Sequence, residues 1–438
     1  MSAYYEALLD VVGMLTITDQ FAYSVAMISV HDALTMILDT ISPLGGERVG
    51  LLQAVGRVLA EEVRSEREVP PFANSAMDGY AVRWDDLRDA NADLPVALTV
   101  LEVIQAGVVP TQMVTSGTAS KIMTGAVIPP GADTVIRVED TEEQDDRVWI
   151  KRQERLGTHI RASGEDIHRG QVVLEKGRVL RPADIGLLAS VGRSMVLVRQ
   201  RPRVAILSTG NELVEVDEAL RPGQIVNSNA YTLAAAVQEA GCQPVPLEIA
   251  RDTLEEIRAA LHEAVRHDVV LSTGGVSVGD FDFVKTAMDE LGVRRLFWQV
   301  AQRPGKPLTF GLLRERPYFG LPGNPVSALV CFYLYVRPAL GRMRGQEKLF
   351  SPVVSATLGE DIPKAKGLTE FVRCRLTRTD GHHEAHSTGS QSSGVLSSLS
   401  LGEGLVIGPA ELALLPKGMS VKVIVLDPDQ FAGEEAPF

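Results

Sequence analysis

Arg203-Val-Ala-Ile-Leu-Ser-Thr-Gly and Val269-Val-Leu-Ser-Thr-Gly-Gly are the two stretches of this sequence that decide its fold. Each is an unbroken apolar run that ends in small polar residues, which is typical of a parallel strand buried on both faces. Helical spacing of apolar residues lies between them, at about 230–240 and over 254–265. Strands that alternate with helices predict βαβ units, and hence a doubly wound α/β domain.

The sequence on either side of this domain has the texture of β structure. Short β-prone runs at 98–104, 119–122, 134–138 and 148–151 are separated by glycine, proline and acidic turns, and residues 348–438 are similar. Residues 27–41 have the spacing of an amphipathic helix. We therefore predict a multidomain α/β protein in which a central doubly wound α/β domain has flanking β-rich domains. The predicted divisions are an N-terminal extension (1–26), an elongated domain I (27–72 plus 166–201), an inserted β domain II (73–165), an α/β substrate-binding domain III (202–347) and a C-terminal β domain IV (348–438).

Length and composition limit the function classes. A chain of 438 residues is too long for one core, and its net charge of −13 argues against general nucleic-acid binding, which needs Lys and Arg to neutralise phosphate. Cys242, Cys331 and Cys374 match no metal spacing, so we expect small buried residues in a reducing compartment. Because no apolar run approaches the roughly 20 residues of a membrane span, and residues 1–26 lack a basic n-region, we expect a cytoplasmic protein without a membrane.

Candidate site residues follow the two decisive strands. Ligands of open α/β sheets bind at the carboxyl ends of strands, where Ser208, Thr209, Gly210 and then Glu212 follow the first run. The second run leads to a glycine loop suited to close approach of an anion, and then to paired acids suited to Mg²⁺. The residues of that second loop are Gly274, Gly275, Ser277, Asp280 and Asp282.

A third loop adds cations and a helix start. Arg303 and Lys306 lie in an Arg-Pro-Gly-Lys-Pro segment, and Pro322 and Gly323 precede Asn324-Pro325. Asn324 is a good N-cap and Pro325 is favoured at the first helical position. A helix is therefore expected over about 325–340, with free N–H groups at its start that favour an anion. Together the three loops predict transfer chemistry on a phosphate-bearing substrate with a divalent metal.

Plainer interpretations of each motif stay open. Glu212 suits a solvated turn, the glycine loop suits a structural turn, and Asn324-Pro325 suits a well-capped helix beside a solvated basic loop. Asp78 precedes Gly79 in what could be an Asx turn, and Thr124 and Asp166 also lie at turns. Nothing in their local sequence connects those three residues to the strand-end loops. The histidines at 382–386 read as a solvated loop, since no acidic ligand frame lies near them.

Seven motifs, taken in order, resemble one family. The chain is similar to the molybdopterin molybdenumtransferases, a family that includes the E domain of gephyrin, from about residue 27 to the C-terminus. The motifs are Pro71-Phe-Ala-Asn-Ser-Ala-Met-Asp-Gly-Tyr-Ala, Ile122-Met-Thr-Gly-Ala, Gly164-Glu-Asp-Ile, Ser208-Thr-Gly-Asn-Glu-Leu, Thr273-Gly-Gly-Val-Ser-Val-Gly, Arg303-Pro-Gly-Lys-Pro and Leu321-Pro-Gly-Asn-Pro.

The resemblance implies an activity and a set of roles. Adenylylated molybdopterin and molybdate would be the substrates, Mg²⁺ the cofactor, and the molybdenum cofactor and AMP the products. The resemblance also implies a central domain with a molybdopterin adenylyltransferase-like fold, a homodimer with the cleft shared between subunits, and molybdopterin adenylyltransferase as a partner. Asp78, Thr124, Asp166, Glu212 and Asp282 would be catalytic, with Glu212 and Asp282 holding the metal. The substrate-binding positions implied are Ser208, Thr209, Gly210, Asn227, Gly274, Gly275, Ser277, Arg303, Lys306, Pro322, Gly323, Pro325 and Arg373, the last beside the Ser390-Gln-Ser-Ser run.

Three departures from the family pattern keep alternatives open. Asn227 stands where several members have an aspartate, Gln299 where some have a lysine, and Arg303 where a lysine is common. The missing carboxylate at 227 motivates one alternative, a non-catalytic pterin-binding or scaffolding paralogue. Adenylyl transfer by the central domain itself is a second alternative, which the flanking domains argue against.

Overall fold

The computed structural model describes residues 27–88, 90–274, 287–288, 290–379 and 382–427, and it divides the chain into two units. The first unit is formed by residues 46–198, and the second unit is formed by the chain before and after that segment. Helix α1 (Val30–Thr40) confirms the amphipathic helix predicted over 27–41, and the Ser29 side chain caps its first turn. Its buried Ala33 and Ile37 pack with the second unit, whereas the predicted domain I grouped them with the first. The four-domain division stays a prediction.

A six-stranded sheet lies at the centre of the first unit. Its apolar residues alternate, so that Tyr80 and Val82 enter one core cluster while Ala81 enters another on the opposite face. Strands β1 to β12 are Gly46–Gly50, Val63–Arg64, Asn74–Ser75, Gly79–Val82, Val96–Ile104, Thr118–Ile122, Thr134–Arg137, Thr141–Gln144, Arg147–Ile150, Ile160–Arg161, Val172–Leu174 and Met195–Arg199. The sheet order is β7-β4-β6-β5-β9-β8. The four β runs predicted between 98 and 151 are confirmed as β5, β6, β7 and β9.

Shorter pairings complete this unit. Strand β1 pairs with β12, β2 with β11, and β3 with β10. Helix α2 (Pro182–Ser190) starts with a proline at its first position, and Asp184 accepts the N–H of Arg181, which fixes the entry of the chain into the helix. Leu59, Leu188 and Val196 are buried in the core that these elements share.

The second unit is built on the predicted α/β sheet. Strands β13 to β21 are Arg203–Ser208, Leu213–Val214, Ile225–Val226, Gln243–Pro246, Val269–Thr273, Arg294–Trp298, Gln302–Arg303, Thr309–Leu313 and Arg316–Leu321. The sheet order is β16-β13-β17-β21-β20-β18. In this order, neighbouring strands from β16 to β21 run parallel, and the sheet then continues through two antiparallel pairings, β21 with β20 and β20 with β18.

Burial on both faces explains why the decisive strands are continuously apolar. Val204 and Ile206 of β13 belong to one buried cluster, and Ala205 and Leu207 belong to a second cluster on the other face. Helices therefore cover both sides of the sheet, and the doubly wound prediction is confirmed.

The helices of this sheet begin at side-chain caps or at proline. Helix α3 (Ser228–Glu239) starts two residues before its predicted position because Asn227 Oδ1 accepts the N–H of Ala230 at 3.3 Å. Helix α4 (Leu254–Ala264) is capped by Thr253. Helix α5 (Pro325–Cys331) continues through a π-helical stretch (Phe332–Val336) into α6 (Arg337–Met343). The helix predicted over 325–340 is thus confirmed in a continuous but irregular form.

A small β-barrel forms the C-terminal part of the second unit. Strands β22 to β28 are Val353–Leu358, Ile362–Pro363, Thr369–Thr379, His382–Ser387, Gly404–Gly408, Leu414–Leu415 and Ser420–Val425, and a short helix α7 spans Ser397–Ser400. The order β24-β25-β22-β28-β26 closes because β26 also pairs with β24, and β19 extends the sheet beside β24. Nowhere in the described part of the chain is a helix both long and apolar enough to cross a bilayer.

Candidate active site

A cavity of about 570 Å³ lies at the carboxyl ends of β13, β17 and β21. Parallel strands bring their ends to one edge of the sheet, so the small polar residues that follow each apolar run meet there. Six of the residues predicted from the sequence line it: Thr209, Glu212, Asn227, Gly274, Gly323 and Pro325. The other lining residues are Leu213, Ile225, Val226, Ser228, Asn229, Thr273, Asn324 and Gly394.

The loop after β13 leaves two hydroxyl groups unpaired. Ser208 and Thr209 are 0% and 3% exposed, and neither side-chain oxygen has a hydrogen-bond partner among the described residues. A buried hydroxyl without a partner is costly, and because Thr209 lines the cavity while Ser208 does not, a ligand group is the expected partner for Thr209 alone. Gly210 has φ +150°, and a Cβ at this residue would collide with the carboxylate of Glu212. The glycine therefore lets Glu212 fold back beside the backbone while remaining exposed to the cavity.

The loop after β17 is held against the loop after β13. The N–H of Thr209 donates to the carbonyl of Thr273 at 3.2 Å. Gly274 has φ +89°, and a Cβ there would lie 2.6 Å from the Thr209 carbonyl oxygen. Only glycine permits both this backbone conformation and this approach. The predicted site residues Gly275, Ser277 and Asp282, together with Asp280, lie outside the described residues.

The loop after β21 differs in one respect from the sequence expectation. Asn324 holds the N-cap position of α5, but its side chain makes no capping bond. Instead its amide donates to Ser393 Oγ at 3.0 Å, while the Ser393 carbonyl accepts the N–H of Val326 at 3.2 Å. A residue from the C-terminal barrel thus satisfies one free N–H of the helix start, and Gly394 beside it completes the cavity wall. Pro322 is buried just behind this loop.

Two asparagines at the start of α3 have different roles. Asn227 is 2% exposed and caps the helix through its side-chain oxygen. Asn229 donates both N–H groups of its amide, one to Thr273 Oγ1 and one to the Gly323 carbonyl, each at 2.8 Å. It therefore ties the loop after β17 to the loop after β21. Sequence reasoning missed Asn229, since its partners are far away along the chain and the only local signal is a polar residue in the first turn of a helix.

The predicted cations do not line the cavity. Lys306 is exposed, and Arg303 lies 3.9 Å from the carboxylate of Glu370, which is itself 5% exposed. Arg373 is 1% exposed and its guanidinium donates to the Ser390 and Ser392 carbonyls and to Ser398 Oγ. Burial lowers the pKa of Arg373. Its contacts show it holding the 390–392 loop, and direct substrate binding by Arg373 stays a prediction.

Asp78 and Thr124 meet in the unit formed by residues 46–198. Asp78 Oδ1 accepts both the N–H and the hydroxyl of Thr124, each at 2.7 Å. These two bonds, the backbone one first, hold the pKa of Asp78 below its ordinary value. Both residues are exposed, so this ionised carboxylate is open to a ligand. The structure thus joins two turns that local sequence could not connect.

The third motif of this unit lies along the same segment. The N–H of Asp166 donates to the Val69 carbonyl at 3.0 Å, and the N–H of Gly164 donates to the Pro70 carbonyl at 2.9 Å. Further along the segment, the Ser75 carbonyl accepts the N–H of Gly125 at 2.8 Å. Residues 69–79 therefore lie between the turns that carry Thr124 and Asp166. Asp166 is exposed, and its catalytic role stays a prediction.

Comparison with known families decides the identity. Three family models match in succession: MoeA N-terminal region (domain I and II) over 28–192, probable molybdopterin binding domain over 205–342, and MoeA C-terminal region (domain IV) over 355–426. A molybdopterin molybdenumtransferase of Nostoc sp. is 38% identical, over 91% of this chain and 94% of the relative. The chain belongs to the molybdopterin molybdenumtransferase family.

Other family members support the same assignment. A molybdopterin molybdenumtransferase of Staphylococcus epidermidis is 33% identical, over 93% of this chain and 97% of its own length. The crystal structure of the molybdopterin biosynthesis MoeA protein from Pyrococcus horikoshii matches with a TM-score of 0.78, 33% identity, and coverage of 91% of this chain and 100% of that one. The multidomain α/β architecture is therefore that of this enzyme family.

Proposed function

We propose that this chain catalyses the last step of molybdenum cofactor synthesis, in which molybdate is inserted into adenylylated molybdopterin and AMP is released. The observation that carries the proposal is the cavity at the ends of β13, β17 and β21, where a carboxylate, two glycine-containing loops and a helix start converge. The names of the relatives, molybdopterin molybdenumtransferase, support the substrate class.

The lining suits an extended anion with a planar group. Leu213, Ile225 and Val226 form an apolar stretch of the wall, which suits a ring system. Gly274 and Gly323 expose backbone to the ligand, as a phosphate requires. The unpaired hydroxyl of Thr209, a residue that lines the cavity, supplies a polar group beside them. We assign the offsetting of substrate charge to Arg303 and Lys306, and molybdate to the 321–325 loop.

Magnesium fits this donor set as a shared ion. Among the residues that the structure describes, Glu212 is the one acidic residue lining the cavity, and these residues contain no group of three His, Cys, Asp or Glu side chains that could hold a metal ion. Mg²⁺ in proteins commonly takes one or two carboxylates and completes its shell with water and substrate phosphates. Glu212, joined by Asp282, would hold it, and when bound the ion would neutralise charge developing on the pyrophosphate.

The direct test is product release by the purified full chain. Given adenylylated molybdopterin, molybdate and Mg²⁺, the protein should release AMP, and the Glu212→Gln variant should not. Folded protein that binds AMP but releases none under these conditions would overturn the proposed activity. The same assay without molybdate shows whether cleavage depends on the oxyanion.

Asn227 does not favour the non-catalytic alternative. Aspartate and asparagine are about equally good N-caps, and Asn227 is buried and caps α3. Asn227 thus caps α3, which an aspartate at the same position would also do. This supports catalysis over scaffolding.

The cysteines bear on the compartment. All three are free and buried, and we therefore expect the protein to work in a reducing cytoplasm.

We further propose a homodimer in which Asp78 and Thr124 of the partner subunit complete each cleft. The test combines two variants, Asp78→Asn and Glu212→Gln, each expected to be inactive alone. A heterodimer purified through two different tags would carry one doubly altered cleft and one intact cleft, so about half the parent activity should return by symmetry. If both residues belong to one chain's site, the heterodimer would stay inactive.

A further inference from the structure

A fully buried amide lies beneath the loop that carries Arg303 and Lys306. Gln302 is 0% exposed, and its Nε2 donates to the Pro304 carbonyl at 3.0 Å and is 3.4 Å from the Gly305 carbonyl. Its Oε1 accepts the hydroxyl of Tyr335, which is also 0% exposed. Tyr335 belongs to the buried apolar cluster of the second unit, where a polar group without partners is costly. The side-chain amide of Gln302 is therefore held in one orientation by hydrogen bonds at both its nitrogen and its oxygen.

The partners come from an irregular part of a helix. Tyr335 belongs to the π-helical stretch that joins α5 to α6, and Cys331, the residue before that stretch, places its thiol 3.6 Å from the Gly305 carbonyl. Single π turns inside helices are frequent at functional sites. Burial raises the pKa of the Cys331 thiol well above its ordinary value, so the thiol stays protonated and able to donate.

The loop has no freedom to relax around these contacts. Gly305 has φ +91°, and a Cβ at this residue would collide with Cys331 Sγ and would lie 2.8 Å from Gln302 Nε2. The Lys306 carbonyl accepts the N–H of Val300 at 2.9 Å. On the other side, Gln302 and Arg303 pair with Thr369 and Glu370 of the barrel. The backbone between Arg303 and Lys306 is thus held by the buried Gln302 and Cys331 side chains and by the strand pairing with the barrel.

We propose that Gln302 and Tyr335 are positioning residues that fix the Arg303–Lys306 loop for oxyanion binding. The inference rests on the proposed function, because it takes Arg303 and Lys306 as the cations that offset the charge of the molybdate assigned to the 321–325 loop. Gly305, between the two cations, lies against Cys331 of the helix that follows that loop. A hydrogen-bonded glutamine in an apolar core adds less to stability than a well-packed apolar residue would. Its bonds to two consecutive loop carbonyls give it a geometric task instead.

The test measures binding of molybdate alone to the full chain, for the parent, Gln302→Met, Lys306→Ala and the double variant. Methionine keeps the length and burial of Gln302 but makes none of its bonds to the loop. We expect Gln302→Met to weaken molybdate binding by about tenfold, a coupling common for residues in one network. The double variant should bind no more weakly than Lys306→Ala, since a misplaced lysine and an absent one are equivalent.

A matched control separates position from stability. Val336→Ala alters the neighbouring buried residue, which is 0% exposed and apolar, without touching the bonds of Gln302. It should lower the melting temperature while leaving molybdate affinity at the parent value. Tyr335→Phe, which removes one hydroxyl, should give a weaker version of the Gln302→Met effect.

Two results would overturn the inference. One is parent-like molybdate affinity in Gln302→Met. The other is an effect that multiplies with that of Lys306→Ala, which would indicate independent action. AMP release is measured separately on the parent: if the parent is active while these binding results fail, only the positioning role is lost. If the parent is inactive but the coupling is present, the proposed function is lost and the loop assignment stands.

Discussion

Asn229→Ala is the substitution for which the structure gives the sharpest expectation. The change removes two hydrogen bonds of 2.8 Å, to Thr273 Oγ1 and to the Gly323 carbonyl. Each such bond contributes about 1 kcal/mol net, so about 2 kcal/mol is the upper limit of the effect. Gly323 is exposed and its carbonyl can turn to water, and Thr273 keeps its own bond to the Pro322 carbonyl. The loss of global stability should therefore lie near the lower end, about 1 kcal/mol.

The larger consequence is expected in ligand binding. Asn229 reinforces the link that Thr273 Oγ1 makes between the end of β17 and the loop after β21, and both segments line the cavity. Without Asn229 the longer bond of Thr273 to the Pro322 carbonyl remains, so part of the loop ordering is left to the ligand, and that ordering opposes binding. We expect AMP affinity to fall by about tenfold, equivalent to about 1.4 kcal/mol.

The assay pairs AMP binding by calorimetry with unfolding in urea. Asn229→Asp keeps the shape of the side chain but loses both donors, so it should weaken AMP binding at least as much as alanine. Ser228→Ala is the control, because Ser228 also lines the cavity but its side chain makes no hydrogen bond to the described residues. Parent-like AMP affinity in Asn229→Ala, or equal losses in Asn229→Ala and Ser228→Ala, would refute the reasoning.

Three further substitutions test the site. Gly210→Ala should displace the carboxylate of Glu212 and reduce AMP release as Glu212→Gln does, and additive losses in the double variant would contradict this. Thr124→Ala removes one of the bonds that lower the pKa of Asp78, so that pKa, followed by NMR, should rise. Stability from this pair is fully present above the ordinary carboxyl pKa and is lost as pH falls through the lowered value, so in the variant this contribution should be smaller and its loss should be complete at a higher pH. Asn227→Asp should retain both the fold and AMP release, because aspartate caps equally well; activity appearing only in that variant would revive the non-catalytic alternative.

The strands of the central sheet could be predicted because a strand buried on both faces has consecutive apolar residues. β13 and β17 are apolar throughout since both faces of a parallel sheet are covered. The position of the cavity followed from the same rule, as ligands of such sheets lie at the strand ends. The start of α3 was predicted two residues late, because the prediction took no account of the cap that Asn227 provides.

Contacts between distant residues were beyond local pattern. Asp78 and Thr124 lie 46 residues apart, and Asn229 and Gly323 lie 94 apart, so no spacing rule connects either pair. Arg373 was a substrate-binding position implied by the family resemblance, and its guanidinium donates to the Ser390 and Ser392 carbonyls of a distant loop, so a direct substrate contact stays a prediction. Charge can be counted in a sequence, whereas the partner that a charge meets depends on the folded chain.

The hydrogen bonds around the cavity separate residues that shape the site from residues left to bind. Asn229, Asn324 and the backbone of Thr209 are bonded to other loops. Among the described lining and strand-end residues, the hydroxyls of Ser208 and Thr209 are buried without partners, and Glu212 is the exposed carboxylate beside them. Since buried polar groups in folded proteins are nearly always paired, the hydroxyl of Thr209, which lines the cavity, is the strongest local indication of where a polar ligand belongs. The loop after β13, more than the helix start at Pro325, is therefore the part of the cavity that we expect the pyrophosphate and its metal to contact first.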